Sequence, residues 1–387
     1  MLKTFVIICE LFFLILLTRC NTPEISEGST DNNSIIQIDI SENGNISNEF
    51  VNQLSIQSFT HLETNKESVF SDLAKASIGN DKLFVFSRNS QEIFLFNITN
   101  GSFLGKLSKR GKGPGEYIDL RDFQIYKDNL IAVLTYKKIN YYDLDFNLIR
   151  TYDLGISNSR EIYINPSYFH EENNLYYLWN GTIAYQYVKD RLPFLMYTSS
   201  KSEILKGYFP VTHKVPSNLR FSESENNVLI NPILGSNLIY KINNNTIDAC
   251  YRIDFGKNNL PEGILKKSDN PQLAPELLHS NYCYNIGNVF ETTNYLYFQF
   301  TQRGIIMQGL YSKKSQQCKI GKMLPITKIE CTDGDFLVAL IQPMQLNDII
   351  NNLDKINLRS DIKELFFKIE YSNYDNPILC KFFINPF

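Results

Sequence analysis

The chain has 387 residues, 43% of them hydrophobic and 13% aromatic, enough to build a sizeable core in one large all-β domain or two ordinary ones. Its 38 Lys and Arg nearly balance 41 Asp and Glu, and the densest basic patch is only Lys109, Arg110 and Lys112. The concentrated positive footprint that nucleic acid requires is therefore missing, and the cysteine and histidine spacings show neither CxxC nor HExxH, which argues against zinc sites.

The chain opens with Lys3 and an apolar run from Phe5 to Leu17, followed by Cys20, the order of a secretory signal. A cysteine directly after such a run resembles the lipobox of bacterial lipoproteins. That resemblance implies residues 1–19 as a signal peptide, cleavage before Cys20 and a lipid on its thiol. Residues 20–50 are rich in Asn, Ser, Glu and Gly and read as a flexible tether. Of the remaining cysteines, Cys250, Cys283, Cys318, Cys331 and Cys380 are odd in number and read as buried free thiols, with one disulfide pair as the alternative in an oxidising envelope.

From residue 51 onward one pattern recurs, a polar turn followed by an alternating apolar strand: DKLFVFSRN at Leu83, DNLIAVLTY at Leu130, NNLYYLWNG at Leu175, NNVLINPIL at Val228, TNYLYFQFT at Leu296 and DGDFLVALI at Leu337. Steps of 47, 45, 53, 68 and 41 residues between these anchors match the period of four-stranded propeller blades. A short run ahead of each anchor supplies an innermost strand, and tight Asn/Asp/Gly turns behind it lead to outer ones. The sixth unit ends short at NPILCKFFINPF, while QLSIQSFTHLE at residues 53–63 is a strand without a unit. Pairing the two would close the ring and remove the exposed edges. The reading is a single all-β, six-bladed β-propeller over 51–387 with four-stranded antiparallel blades, closed by an N-terminal strand.

The connection KRGKGPGEY at 109–117, with its Gly-x-Gly-Pro-Gly-Glu-aromatic order, resembles the junction of NHL-type propeller repeats. With the signal, Cys20 and the NPILCKFF ending, the whole chain resembles the TolB-like and NHL-like six-bladed β-propeller lipoproteins of Bacteroidetes. The resemblance implies an exported protein anchored in the outer membrane of a Gram-negative cell.

In such a disc the turns between second and third strands share one face with the connections between blades. Two long insertions, 256–285 and 343–376, belong to that face, and Leu346, Ile349, Ile350 and Leu353 of the second fit an amphipathic helix packed over the ring. Candidate ligand-binding residues there are Arg88, Lys137, Trp179 and Arg303 in turns, Lys112, Glu116 and Arg121 at a junction, and His170 near the end of an inner strand. They would form hydrogen-bonding and stacking groups around a ligand. Gly113-Pro114-Gly115 reads equally as a tight turn, and the tyrosine pairs as packing between blades. The function expected is a lipid-anchored binding or scaffolding module for a glycan, a peptide or an envelope protein, without catalytic residues or cofactor. The alternatives are a lyase or hydrolase, as the NHL resemblance implies, holding one divalent cation in the channel, and a structural subunit of an envelope complex.

Overall fold

A computed structural model of the chain describes residues 25–26, 35–40, 50–126, 130–154, 166–179, 193–199, 204–210, 221–224, 227–231, 235–243, 245–262, 264, 273–322, 328–351 and 360–387. Cys20 lies outside them. Among the described residues are six sheets built on four antiparallel strands each, which in five of them follow sequence order from the axis outward. The innermost strands are Lys75–Gly79, Asp122–Tyr126, Tyr168–Glu172, Phe221–Glu223, Cys283–Glu291 and Ile329–Asp333, for blades 1 to 6. Every repeat anchor falls in the second strand of its blade. Blade 6 takes its third strand from Ile378–Ile384 and its outermost from Leu54–His61, paired antiparallel from Ile378 against His61 to Ile384 against Leu54. The N-terminal strand thus closes the ring as the sequence indicates.

Among the described residues the core of the ring is six apolar clusters, one between each pair of neighbouring blades, and a seventh, small one holds the insertion between blades 4 and 5. Blade 1 shows why the strands read as almost continuous apolar runs. Phe84 and Phe86 face blade 2 among Phe123, Ile131 and Val133, while Leu83 and Val85 face blade 6 among Val338, Leu340 and Leu379. Successive side chains of a strand point to opposite faces, and here both faces are buried. The tyrosine pairs obey the same geometry: Tyr142 joins the cluster with blade 1 and Tyr141 the one with blade 3, as Tyr176 turns to blade 2 and Tyr177 to blade 4. In blade 5, Gly309 sits against the ring of Phe298, where an added Cβ would come within 2.2 Å of its Cζ.

One expectation is corrected. The segment 20–50 is not simply a tether: Ile36–Asp39 adds to blade 4 as a fifth strand parallel to Tyr251–Asp254, and Ile25–Ser26 adds to blade 3 beside Gly207–Tyr208. Its polar composition hides three buried isoleucines, Ile35, Ile38 and Ile40, and the outer blade edges offer unpaired backbone groups. The amphipathic helix expected in the second insertion packs on the ring at one joint, with Leu346 and Ile349 buried and Ile350 against them, while Leu353 lies outside the described residues. After α1 (Leu273–His279), α2 (Pro343–Asn351) and α3 (Ser360–Phe367) insert Leu346, Ile349 and Phe366 into the cluster between blades 5 and 6.

All five cysteines of the blades are buried and unbridged. Burial pushes the thiols of Cys250, Cys283 and Cys318 up to about 12 and those of Cys331 and Cys380 upward as well. Because the thiolate is the reactive form, a thiol titration of the native propeller at pH 8 should find none of the five reactive. All five should react after unfolding in guanidinium, and modification of one in the native state would contradict the packing described.

Candidate functional site: the axial channel and the insertion face

Each inner strand starts on the face that carries the turns between second and third strands and the connections between blades. The repeat therefore places residues one blade apart side by side around the axis. Lys75 of blade 1 meets Asp122 of blade 2, with Nζ 2.9 Å from Oδ1, and also donates to the Phe123 carbonyl at 2.6 Å. The other oxygen of Asp122 accepts the backbone N–H of Phe169 in blade 3 at 3.1 Å. One buried carboxylate thus ties three blades. Its burial raises the pKa above the usual carboxylate value, opposed by the Lys75 charge and by hydrogen bonds from Lys75, Phe169 and Phe123.

One layer deeper, Gln124 of blade 2 is held by the backbone of blade 3, accepting from the Glu171 N–H at 2.8 Å and donating to its carbonyl at 3.4 Å. The same amide nitrogen lies 3.1 Å from His170 Nδ1, which is 3.3 Å from Glu223 Oε1 of blade 4. Burial alone would raise the Glu223 pKa, but the His170 hydrogen bond and the charges of Lys75 and His170 hold it below the ordinary value. His170 is buried, and among the described residues its Nε2 has no hydrogen-bond partner.

Lys75, Asp122 and Glu223 line a cavity of about 50 Å³ together with Tyr168, Asn288 and Glu330, among others. Liquid water occupies about 30 Å³ per molecule, so this space suits one or two waters and no sugar or peptide side chain. Among the described residues no group of three or more His, Cys, Asp or Glu is arranged to hold a metal ion. Asp122 is committed to Lys75, and Glu330 receives Lys328 at 2.7 Å. The donor set therefore does not fit a divalent cation, and no chemistry is routed through one. At the far ends of the inner strands, Glu291 accepts from Tyr251 at 2.5 Å and meets Lys313 at 2.9 Å, and Asp333 meets Lys381 at 2.6 Å. Each of these carboxylates has its own cation.

The larger space lies on the insertion face. An open groove of about 920 Å³ is lined by Lys257, Asn258, Pro275, Glu276, His279, Ser280, Asn281 and Tyr282, all in the connection from blade 4 to blade 5. Arg303, in the adjoining turn of blade 5, donates from Nε to Asn281 Oδ1 at 2.6 Å and so fixes one end of the groove. Its turn reverses at positive φ through Arg303 and Gly304, a conformation glycine adopts freely.

The sequence-predicted residues divide accordingly. Arg88 is exposed in its turn, whose backbone N–H groups at Arg88 and Asn89 are held by the Asp72 carboxylate at 2.9 and 3.0 Å. Arg121 and Lys137 come together over Tyr136, at 4.9 and 5.4 Å from its ring, and Arg121 also bridges to the Pro166 carbonyl at 2.9 Å. Lys112 is exposed, but Glu116 turns into its own loop and accepts the Gly113 N–H at 2.7 Å. Buried Tyr117 locks that loop through its hydroxyl, which donates to Gln91 at 2.9 Å. Trp179 is a correction: it ends a strand instead of occupying a turn, is 1% exposed and packs 6.4 Å from Phe209. Period two puts Trp179 beside Tyr177, facing blade 4. Sequence reasoning missed Lys75 and Asp122, although their separation of 47 residues equals one repeat step and would have placed them in one ring.

A family profile described as a 6-bladed beta-propeller matches residues 24–328. In solved structures, the chain is similar to a protein of Bacteroides fragilis NCTC 9343 described as exported, with 19% identity, a TM-score of 0.70, and coverage of 91% of this chain and 100% of that one. It is also similar to a DUF4221 member from Bacteroides vulgatus ATCC 8482, with 10% identity, a TM-score of 0.51, and coverage of 87% and 100%. No curated protein matches the chain in sequence.

Lys75→Met should leave the buried Asp122 without its cation and lower unfolding free energy by about 3–5 kcal/mol. Adding Asp122→Asn should recover most of that loss, since the amide oxygen still accepts from Phe169. Without Lys75 the Asp122 pKa rises further above its unfolded value, so its stabilising contribution is present at low pH and is lost as pH rises. Urea titrations should therefore show a smaller deficit for the single variant at pH 5 than at pH 7.5. An equal deficit at both would contradict the pairing.

Proposed function

The chain belongs to the DUF5128 family of 6-bladed beta-propellers, and on that premise we propose that it is an exported binding or scaffolding module that engages its ligand on the insertion face. The observation that carries this reading is the contrast in size. The channel cavity of about 50 Å³ is walled by charges already paired between blades, whereas the groove beside Arg303 reaches about 920 Å³. Ligand pockets of about 300–1,000 Å³ accommodate small organic molecules, so of these two spaces the groove has the capacity for a glycan or a peptide segment. Lys257, His279 and Asn281 supply donors, Glu276 an acceptor, and Tyr282 a ring for stacking.

Export is supported by the apolar run before Cys20 and by the likeness to a Bacteroides protein described as exported. The lipobox resemblance extends this to lipid on Cys20 and residence in the outer membrane. A covalent lipid adds about 0.8 kcal/mol per buried CH2, so the cysteine would decide where the protein fractionates.

Two measurements test these proposals. A thermal-shift screen against divalent cations, glycans and peptides should yield stabilisation by one glycan or peptide class. Arg303→Ala or Tyr282→Ala should abolish that response, while Lys75→Met/Asp122→Asn should retain it. A stoichiometric metal whose loss removes ligand binding would overturn the assignment to the groove. Separately, Cys20→Ala should release the full chain from membranes, and unchanged membrane association would refute lipid anchoring.

A further inference from the structure

The direction of the N-terminal strands sets which face of the disc a lipid anchor can reach. In every blade the outermost strand runs from the face of the short turns toward the insertion face. Ile25–Ser26 lies parallel to the outermost strand of blade 3, pairing Ile25 with Gly207 and Ser26 with Tyr208. Ile36–Asp39 lies parallel to that of blade 4, with Ile38 only 1% exposed beneath the rim. The chain therefore enters blade 3 from the short-turn side, and Ile25 is the fifth residue after Cys20. At no more than about 3.6 Å per residue, five residues span at most about 18 Å, even when fully extended.

We propose that the short-turn face at blades 3 and 4 is the lipid-facing surface of the protein, held there by this strap, and that the insertion face with its groove points away from the membrane. The inference rests on lipidation of Cys20. A freely jointed 30-residue tether would let the disc turn over, whereas a span of at most about 18 Å attached to a strand of fixed direction limits that rotation. The groove then opens toward whatever lies beyond the membrane surface, and the ligand need not pass between protein and lipid.

The five native thiols are buried, so single surface cysteines can report orientation. Ser90→Cys lies in the turn between second and third strands of blade 1, on the insertion face. Thr99→Cys lies in the turn between third and fourth strands of the same blade, on the short-turn face. Each lipidated full chain, carrying a thiol fluorophore, is reconstituted into phosphatidylethanolamine–phosphatidylglycerol vesicles containing a headgroup-labelled quencher lipid. The Thr99 probe should be quenched at least several-fold more than the Ser90 probe. Inserting twenty Gly/Ser residues between Glu24 and Ile25, which adds a flexible reach of about 25 Å, should bring the two close to equality. Equal or reversed quenching in the anchored protein without the insertion overturns the orientation while leaving the anchor intact, as does a difference that survives the insertion. Vesicle binding by a Cys20→Ala chain overturns the anchor itself, and the orientation with it.

Discussion

The middle strands of a blade in this propeller have no face to give to water. The second and third strands of each sheet bury both surfaces, one against each neighbour, so no blade is complete unless the ring is closed. This two-sided burial explains why Leu83 to Phe86 are all apolar and why paired tyrosines such as Tyr141 and Tyr142 serve different interfaces. It also explains why an eight-residue strand from the N-terminus matters to the whole fold. Without Leu54–His61, the third strand of blade 6 would present an open edge, with Ile378 to Ile384 unpaired on one side.

The same constraint decides where polar chemistry can reside. With the sheet faces committed to packing, charged groups collect on the inner edges and in the loops. On the inner edges they are spent on joining blades: Lys75 to Asp122 to Phe169, and Gln124 and His170 to Glu171 and Glu223. A buried carboxylate is costly unless paired and hydrogen-bonded, and Asp122 satisfies both conditions by drawing partners from two other blades. The channel is thereby a structural axle with little spare volume. Freedom to vary lies in the connections, where loop length costs little, and there the chain carries its long insertions.

Among those connections the short and long ones play different parts. The KRGKGPGEY junction is a compact turn pinned by Tyr117 and by Glu116 folding back on Gly113. The junction from blade 4 to blade 5 is instead expanded into α1 and the groove, with Arg303 of the next blade fastened to it. The second insertion strengthens the joint between blades 5 and 6, placing Leu346, Ile349 and Phe366 in the core. Enlarged loops of similar length thus divide into one that opens a concavity and one that reinforces the ring.

The blade number, the register of every second strand and the closing strand were legible in the sequence, because alternation and a repeat of about 45 residues are local signals written in side-chain type. The candidate site was legible only in part. Arg303, Arg121 and Lys137 could be assigned to one face from strand parity alone. Trp179 could not be told from a turn residue, since whether the last residue of a strand is buried depends on the blade beside it. The isoleucines at 35, 38 and 40 lay in a polar stretch and found their role only against the free edge of blade 4. Sequence by itself determined the repeating unit and how many times it occurs. The tertiary structure alone decided which charges neutralise one another across blades, how little space the channel keeps and which loop opens into a groove. Those properties arise from contacts between residues one or more repeats apart, whose distances no local pattern contains.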